Sequence, residues 1–414
     1  MNRVSLGVKR ITIHDPRITI HDFMSRSLEL LRQLVAIPSV NPMGRDLSGP
    51  EYFEGRMSDF LESHFRGLGV PCERFEVAPG RANVIARFDS SGAKRTVLLD
   101  AHEDTVPTDG MIIDPFTPTE RDGRLYGRGS CDVKGGMAAM LAAFERLVAT
   151  RPAGAANVVM SCTCDEESTT IGIDDLTELW TEPNRGKSLL SERPDAAIVA
   201  EPTGLHVVVA HKGASRWKIL TRGRACHSSS PQNGINAIYR MAKIVGALER
   251  FAAELPSTVP PHPLCGPATL SIGRIQGGIS VNTVPDWCEI EVDRRVLPGE
   301  DGWAAIERVR EFLTTHAGVE FEFLPPWCVG QSLPDGPNAG LAEQLLGHVR
   351  AVAGPREKVG VPYGTHASRT AAAGVPSVVF GPGDIQQAHT KDEWIEVAQL
   401  DLASEIYYRF CATS

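Results

Sequence analysis

Thr96-Val-Leu-Leu-Asp-Ala-His102-Glu-Asp104 joins a short apolar run to an end that is rich in acid and histidine. The run Thr96 to Leu99 has the composition of a parallel strand that is buried on both faces. Two later runs share this character and also end at acidic residues: Asn157 to Cys162, before Asp165-Glu-Glu167, and Ala196 to Ala200, before Glu201. Helical patterns separate the runs, so the sequence predicts an α/β fold with a mostly parallel central sheet. Ligands of such sheets bind outside the carboxyl ends of the strands, and we expect the acidic motifs to meet there.

Length and composition restrict the classes of function. A chain of 414 residues is long enough for two domains. The net charge of −9 argues against a nucleic-acid or anionic membrane partner, because both require a basic surface. Nine cysteines without a C-x-x-C pair do not indicate a disulfide framework or a structural zinc site. The chain has neither a secretory signal region nor an apolar stretch of membrane-spanning length, which predicts a cytoplasmic protein.

The order of predicted elements changes after about His211. The following elements are strand, helix, strand, strand, helix and strand, which is the split βαβ order of a ferredoxin-like α+β domain. The buried strand pattern then returns at Val375 to Phe380. We therefore expect a flexible leader over residues 1–24, one domain over 25–211 and 327–414 that carries the acidic motifs, and a second domain inserted over 212–326. The six predicted elements of the insertion are Ser215 to Thr221, Ile235 to Leu255, Ala268 to Ile275, Trp287 to Val296, Gly302 to His316 and Val319 to Leu324.

The side chains of the acidic motifs point to metal chemistry. Neutral imidazole and carboxylate oxygens are the donors that zinc accepts in catalytic sites, and their number here fits a two-metal hydrolase in which one carboxylate bridges the ions. The candidate ligands are His102, Asp132, Glu167, Glu201 and His389. Cysteines beside these motifs are predicted to pack as small apolar side chains rather than to supply thiolate ligands: Cys131, Cys162 and Cys164.

Two further acids are candidates for supporting roles. Asp104 lies two residues after His102, so on an extended segment it faces the same side and can orient the imidazole. Glu166 and Glu167 are adjacent and point in different directions on an extended chain. One of the two can therefore bind metal while the other takes the proton of the attacking water.

Five strings carry a resemblance to a known family over residues 25–414. The chain resembles the M20 metallopeptidases, a family that includes deacylases as well as peptidases. The strings are Leu98-Leu-Asp-Ala-His-Glu-Asp-Thr-Val-Pro107, Gly127-Arg-Gly-Ser-Cys-Asp-Val-Lys-Gly-Gly136, Asp165-Glu-Glu-Ser168, Glu201-Pro-Thr203, and Gly381-Pro-Gly383 with Gln387-Ala-His389.

The resemblance implies that residues 25–211 and 327–414 form a zinc-peptidase catalytic, metal-binding domain and that residues 212–326 form an inserted lid and dimerisation domain. It also implies a role for each ligand. Asp132 would bridge two Zn²⁺ ions, for which Co²⁺ can substitute. His102 and Glu201 would complete one site, and Glu167 and His389 the other. Glu166 would be the general base and Asp104 the residue that orients His102. The resemblance also implies a cis peptide bond between Asp132 and Val133.

Motifs in the second half of the chain resemble the substrate-binding segments of the same family. His227, in Gly223-Arg-Ala-Cys-His227-Ser-Ser, would help to hold the developing oxyanion, in the active site of a partner subunit, so the resemblance implies a homodimer. Asn282, Arg295 and Thr365 would contact the substrate. His366 stands where many relatives carry an acidic or serine residue, and it is a candidate for reshaping the substrate pocket.

The sequence is compatible with three functions. The form of the last motif, Gly-Pro-Gly-Asp-x-x-Gln-Ala-His389, favours an N-acyl amino acid deacylase of the acetylornithine deacetylase type. A carboxypeptidase or dipeptidase on the same scaffold is the alternative, so the expected partner is a small N-acyl amino acid or a short peptide. An inactive binding protein is a remote third reading, because such a chain is expected to have lost Glu166 or a metal ligand.

Overall fold

A computed structural model describes residues 20–413 and the side chains of residues 26–413. The helices are α1 (Ile20–Val35), α2 (Gly55–Leu68), α3 (Lys134–Thr150), α4 (Ile171–Thr181), α5 (Ala237–Thr258), α6 (Gly302–His316), α7 (Asp335–Ala353), α8 (Ala367–Ala372) and α9 (Val397–Ala412). The strands are β1 (Cys72–Ala78), β2 (Arg81–Phe88), β3 (Thr96–His102), β4 (Thr119–Arg121), β5 (Arg124–Tyr126), β6 (Asn157–Thr163), β7 (Ala196–Val199), β8 (Val207–His211), β9 (Gly213–Arg222), β10 (Cys226–His227), β11 (Thr269–Gly277), β12 (Thr283–Val284), β13 (Trp287–Val296), β14 (Glu322–Phe323), β15 (Cys328–Val329), β16 (Lys358–Val361), β17 (Ser377–Val379) and β18 (Trp394–Glu396).

The described chain forms two compact units. One consists of the residues up to Leu205, Gly347–Arg356 and the residues from Phe380 onward; the other consists of His206–Leu346 and Glu357–Val379. The second unit contains the whole predicted insertion, 212–326, and extends beyond it on both sides. Helix α1 begins at Ile20, within the predicted leader, and residues 1–19 of that leader lie outside the described residues.

The first unit is built on strands in the order β1, β2, β6, β3, β7. At its centre β3 runs parallel to both β6 and β7, whereas β2 pairs antiparallel with β1 and with β6. Strands β3 and β6 are buried along almost their whole length because α/β packing covers both faces. The predicted α/β fold with a parallel centre is confirmed, and the three strands predicted before acidic motifs begin at the expected residues, Thr96, Asn157 and Ala196.

The second unit contains a sheet in the order β11, β13, β9, β14, with β15 also paired to β9. Helices α5 and α6 pack on this sheet, and the alternating burial along β13 directs every second side chain toward them. The predicted order of strand, helix, strand, strand, helix and strand is present as β9, α5, β11, β13, α6 and β14. Strands β17, β8 and β16 lie in that order in the same unit.

Two local predictions are also confirmed. The peptide bond between Asp132 and Val133 is cis. Cys131, Cys162 and Cys164 are buried free thiols, and burial raises the pKa of each. Among the described helices, none is long and apolar enough to cross a membrane.

Candidate metal centre

The central strands of the first unit bring the acidic motifs together at their carboxyl ends. His102 ends β3 and is paired with Thr163, which ends β6 and precedes the Asp165-Glu-Glu167 segment. On the other side of β3, the backbone N–H of Ala200 donates to the carbonyl of Asp100 at 2.8 Å, so Glu201 follows at the same edge. The convergence that the strand pattern predicts is therefore present.

Asp132 lies between two imidazoles. Its Oδ1 is 3.2 Å from Nε2 of His102, and its Oδ2 is 3.3 Å from Nε2 of His389. The same nitrogen of His389 is 3.3 Å from Oε2 of Glu167. Ligand atoms of His102, Asp132 and Glu167 all lie within 4.8 Å of one another. One carboxylate thus presents each of its oxygens to a different imidazole, which is the arrangement a bridging ligand requires.

The centre holds more buried carboxylates than cations. Burial, and after it the charge of the neighbouring Asp132, raise the pKa of Glu167 to about 8. Glu201 is buried, and burial together with the charges of Asp132 and Glu166 raises its pKa well above the usual range. Asp132 differs, because its contacts with the two imidazoles outweigh burial and lower its pKa. The mutual repulsion of these acids favours a bound cation.

Two observations test whether a metal ion fits this donor set. Oε1 of Glu167 is buried and has no hydrogen-bond partner among the described residues, which leaves an acceptor atom that a metal ion can satisfy. His389 is 52% exposed, and its contacts with Asp132 and Glu167 raise its pKa to about 11. An imidazolium cannot ligate, so a metal ion that binds here must displace that proton. Nitrogen and carboxylate oxygen donors around one carboxylate suit zinc.

Asp104 fixes the orientation of His102. Nδ1 of His102 lies 2.9 Å from the backbone oxygen of Asp104 and 3.5 Å from its Oδ1, so this nitrogen donates and Nε2, which faces Asp132, is the candidate ligand atom. Burial alone would raise the pKa of Asp104, but the contact with His102 and the amide of Asn41 outweigh it and lower the pKa to about 2. Asp104 also accepts from the backbone N–H groups of Glu166 at 3.0 Å and Glu167 at 3.1 Å.

Asn41 links the two loops that carry the candidate ligands and base. Its Nδ2 donates to Oδ2 of Asp104 and to Oδ1 of Asp165, both at 2.8 Å, while its Oδ1 accepts from the backbone N–H of Met43. The two hydrogens of one buried amide are thereby shared between two carboxylates that would otherwise repel each other. Asn41 therefore sets the spacing between the end of β3 and the loop that begins at Asp165.

Asp165 anchors the loop that carries Glu166 and Glu167. Its backbone has a φ of 65°, in the left-handed region that is uncommon for residues other than glycine. Its carboxylate contacts Arg81, and Arg81 pairs with the buried Glu54 at 2.9 Å. We infer that this ion network holds the loop in its unusual conformation, as the surroundings of a strained residue must.

Glu393 anchors the loop that carries Asp132. Its carboxylate accepts from the backbone N–H groups of Gly129, Cys131 and Asp132 at 2.9 to 3.0 Å. It also pairs with Nη1 of Arg128 at 2.6 Å, and both side chains are buried. A single carboxylate therefore satisfies three backbone donors of the loop and neutralises a buried guanidinium.

Glycines in the motifs allow backbone segments to approach closely. A Cβ on Gly135 would lie 2.5 Å from the carbonyl oxygen of Ser130, and one on Gly136 would lie 2.9 Å from the Cβ of Ala200. Helix α3 can begin directly behind Asp132 only because these positions have no side chain. A Cβ on Gly381 would lie 2.6 Å from the carbonyl oxygen of Glu201, which explains why the Glu201-Pro-Thr and Gly-Pro-Gly motifs occur together.

The candidate residues of the second unit lie in three places. His227 in β10 pairs with Thr283 in β12, and the backbone N–H of Ser228 donates to the carbonyl of Asn282 at 3.0 Å, so the His227 and Asn282 segments are neighbours. Arg295 lies on β13, where its Nε donates to Asp293 at 2.8 Å. Thr365 and His366 precede α8, and both are buried. The roles of these residues in binding remain predictions.

Several residues of the centre were not predicted from the sequence. Arg128 and Asp165 lie inside two of the five family strings, so their position in the sequence marks them as neighbours of candidate ligands. Glu393 follows the candidate ligand His389 by four residues, so its position marks it in the same way. Nothing in the sequence marked the remaining three, which lie outside every acidic motif: Asn41, Glu54 and Arg81.

The sequence profile of Peptidase family M20/M25/M40 matches residues 98–413. The chain belongs to this family. The resemblance drawn from the five strings is confirmed, and with it the prediction of a metal-dependent amide hydrolase.

Relatives agree with this assignment over nearly the whole chain. The acetylornithine deacetylase of Pectobacterium carotovorum subsp. carotovorum (strain PC1) is 32% identical over 408 residues, which cover 93% of this chain and 97% of that protein. The M20 family metallo-carboxypeptidase Sso-CP2 from Sulfolobus solfataricus has a similar structure, with a TM-score of 0.75, 19% identity and coverage of 93% and 98%. The Bacillus subtilis YXEP protein, described as a dinuclear metal-binding M20 peptidase, has a TM-score of 0.66, 17% identity and coverage of 95% and 98%.

Proposed function

We propose that this M20 protein is a di-zinc amidohydrolase that removes the acyl group from an N-acyl amino acid. The observation that carries the proposal is the Asp132 carboxylate, with one oxygen toward His102 and the other toward His389. In this proposal His102 and Glu201 hold one ion, Glu167 and His389 hold the second, and Asp132 is shared. Bound there, two zinc ions would lower the pKa of a water molecule toward ~7 and would polarise the scissile carbonyl.

Glu166 is the proposed proton carrier of the reaction. Its carboxylate is close enough to the centre to raise the pKa of Glu201, and its backbone N–H is held by Asp104. It takes the proton from the attacking water and passes it to the leaving amine. The imidazole of His227 is proposed to donate a hydrogen bond to the oxyanion, a contribution typically worth ~3 to 4 kcal/mol.

The deacylase assignment is supported by the relative at 32% identity, whereas the carboxypeptidase neighbour at 19% identity supports only the fold. Arg295 is the proposed partner of a substrate carboxylate, because a guanidinium binds carboxylates through two parallel hydrogen bonds. Purified zinc-loaded protein should be assayed against N-acetyl, N-succinyl and N-carbamoyl amino acids and against dipeptides. Preferred turnover of an N-acyl amino acid supports the proposal; preferred turnover of dipeptides assigns the chain to the alternative, a carboxypeptidase or dipeptidase.

Removal of metal is expected to abolish activity. Dialysis against a chelator should reduce hydrolysis to background, and added Zn²⁺ or Co²⁺ should restore it, because the clustered acids and imidazoles require a cation to act together. Metal content and rate should be measured on the same samples. Full activity in protein shown to be free of metal would contradict the proposal.

We also propose that the chain forms a homodimer through the second unit. Strand β11 is the terminal strand of its sheet and is exposed along most of its length. Large apolar side chains are exposed at its end and in the loop that follows: Ile275, Ile279 and Val281. An exposed edge strand next to apolar residues is a surface that favours pairing with another chain.

Mixing two inactive variants tests whether His227 serves a partner subunit. His227→Ala and Glu166→Ala should each be inactive alone, and activity should reappear when subunits exchange, because one centre of the heterodimer then has an intact Glu166 and the partner's His227. Native mass spectrometry checks the exchange. If heterodimers form and remain inactive, His227 acts within its own chain or not at all.

A further inference from the structure

A buried histidine and a buried threonine of the second unit form a pair that the proposed mechanism does not use. His211 ends β8 and Thr365 lies in the turn before α8; both side chains are buried. Nε2 of His211 is 3.1 Å from Oγ1 of Thr365, and Nδ1 of His211 is 2.9 Å from the backbone oxygen of Lys212.

The surroundings of His211 determine which nitrogen carries the proton. A carbonyl oxygen can only accept, so Nδ1, which faces Lys212, must be the donor. Burial lowers the pKa of His211 to about 4, so the ring is neutral near pH 7 and Nε2 carries no hydrogen. Nε2 must then accept, and the donor is the hydroxyl of Thr365.

The hydroxyl of Thr365 has no second hydrogen to give. Its oxygen accepts from the backbone N–H of Ala367 at 3.2 Å, the first residue of α8. A hydroxyl has one donor, and that donor is directed to His211. The side chain of Thr365 therefore cannot donate a hydrogen bond to a substrate while this pair is intact.

The backbone of His211 is itself held on both sides. Its N–H donates to the carbonyl of Leu333 at 3.2 Å, and its carbonyl accepts from Leu333 at 3.0 Å. The next residue, Lys212, donates to the carbonyl of Val361 at the end of β16, 3.3 Å away. The imidazole is therefore an acceptor in a fixed position beside the end of β16, where the turn toward α8 begins.

We propose that His211 and Thr365 are positioning residues, which together fix the Gly364-Thr-His366 turn, and that the Thr365 hydroxyl donates no hydrogen bond to the substrate. This proposal rests on the proposed amidohydrolase function, because the turn is assigned to substrate binding by resemblance. It replaces the predicted direct contact of Thr365 with an indirect role through the backbone of the turn.

A double-mutant cycle distinguishes a direct contact of Thr365 with the substrate from an indirect role through His211 and the turn. His211→Leu and Thr365→Val are each expected to raise KM about tenfold with a smaller change in kcat, since each leaves one buried partner unsatisfied. The double variant should raise KM no more than either single variant, because the two residues act as a pair.

Two conservative variants serve as controls. Thr365→Ser keeps the hydroxyl and His211→Gln offers an acceptor oxygen, and the KM of each should stay within about threefold of the wild-type value. A double variant whose KM rises by the product of the two single effects would show that Thr365 acts on the substrate independently of His211.

Two readouts do not depend on turnover. Urea unfolding of the wild type, His211→Leu, Thr365→Val and the double variant should show the same non-additivity in the free energy of unfolding. The imidazole ¹⁵N shifts of His211, assigned by comparison with His211→Gln, should place the proton on Nδ1; a proton on Nε2 overturns the proposal. If no tested amide is hydrolysed by the wild type, the proposed function fails while these two measurements still decide the pairing of His211 with Thr365.

Discussion

Glu166→Gln is expected to lower kcat by about 10²–10⁴-fold, the range that a general base contributes, while the protein keeps its metal. Glutamine has the size of glutamate but cannot take the proton of the attacking water. In the proposed ligand set Glu166 holds no ion, so the replacement should leave every metal donor in place. Single-turnover rates and metal content after dialysis should be measured on the same preparation.

Glu167→Gln is the matched control for this experiment. It makes the same chemical change one residue away, at a carboxylate that contacts His389 and has a buried oxygen without a partner. We expect this variant to lose metal as well as activity. If Glu166→Gln releases metal and Glu167→Gln retains it, the two roles must be exchanged.

Glu393→Ala is expected to lower the free energy of unfolding by about 3–5 kcal/mol, the cost of breaking a buried ion pair by removing one partner. Arg128, which is only 3% exposed, would keep its charge without a carboxylate. Three backbone N–H groups of the loop that carries Asp132 would lose their acceptor at the same time. Urea unfolding and metal affinity should both report the loss, because the same loop holds the candidate bridging ligand.

Asp392→Ala provides the control, since Asp392 is the preceding residue and is exposed. Its replacement should change the free energy of unfolding by less than about 0.5 kcal/mol. The anchoring role of Glu393 would be refuted if Glu393→Ala were as stable as Asp392→Ala and bound metal equally well.

The strands and the order of elements could be predicted because the relevant signals are local. The buried run from Thr96 identified β3, and the change of pattern after His211 identified the split βαβ order of the second unit. Strand β8 was not predicted, since its five residues directly precede the point where the pattern changes. The bounds of the second unit could not be predicted either, because β16 and β17 belong to it although they lie far along the sequence from its other strands.

The candidate ligands, which the fold brings together, could be named from the sequence because their side chains are chemically distinctive, but the residues that position them could not. Asn41 and Asp165 are 124 residues apart, and Glu393 is 261 residues from Asp132. A buried amide or a structural ion pair has no local pattern that separates it from a surface residue. Its role depends on which backbone donors the fold places beside it, and spacing along the chain does not contain that information.

The residue that follows Asn41 bears on the chemical ageing of the protein. Asparagine deamidates when the backbone nitrogen of the next residue attacks the side-chain amide, which yields aspartate or isoaspartate. The next residue here is Pro42, which has no backbone N–H to make that attack. Deamidation would replace a donor by a third carboxylate between Asp104 and Asp165, which Asn41 now joins at 2.8 Å each. The Asn-Pro sequence therefore protects this contact against spontaneous damage for as long as the protein persists.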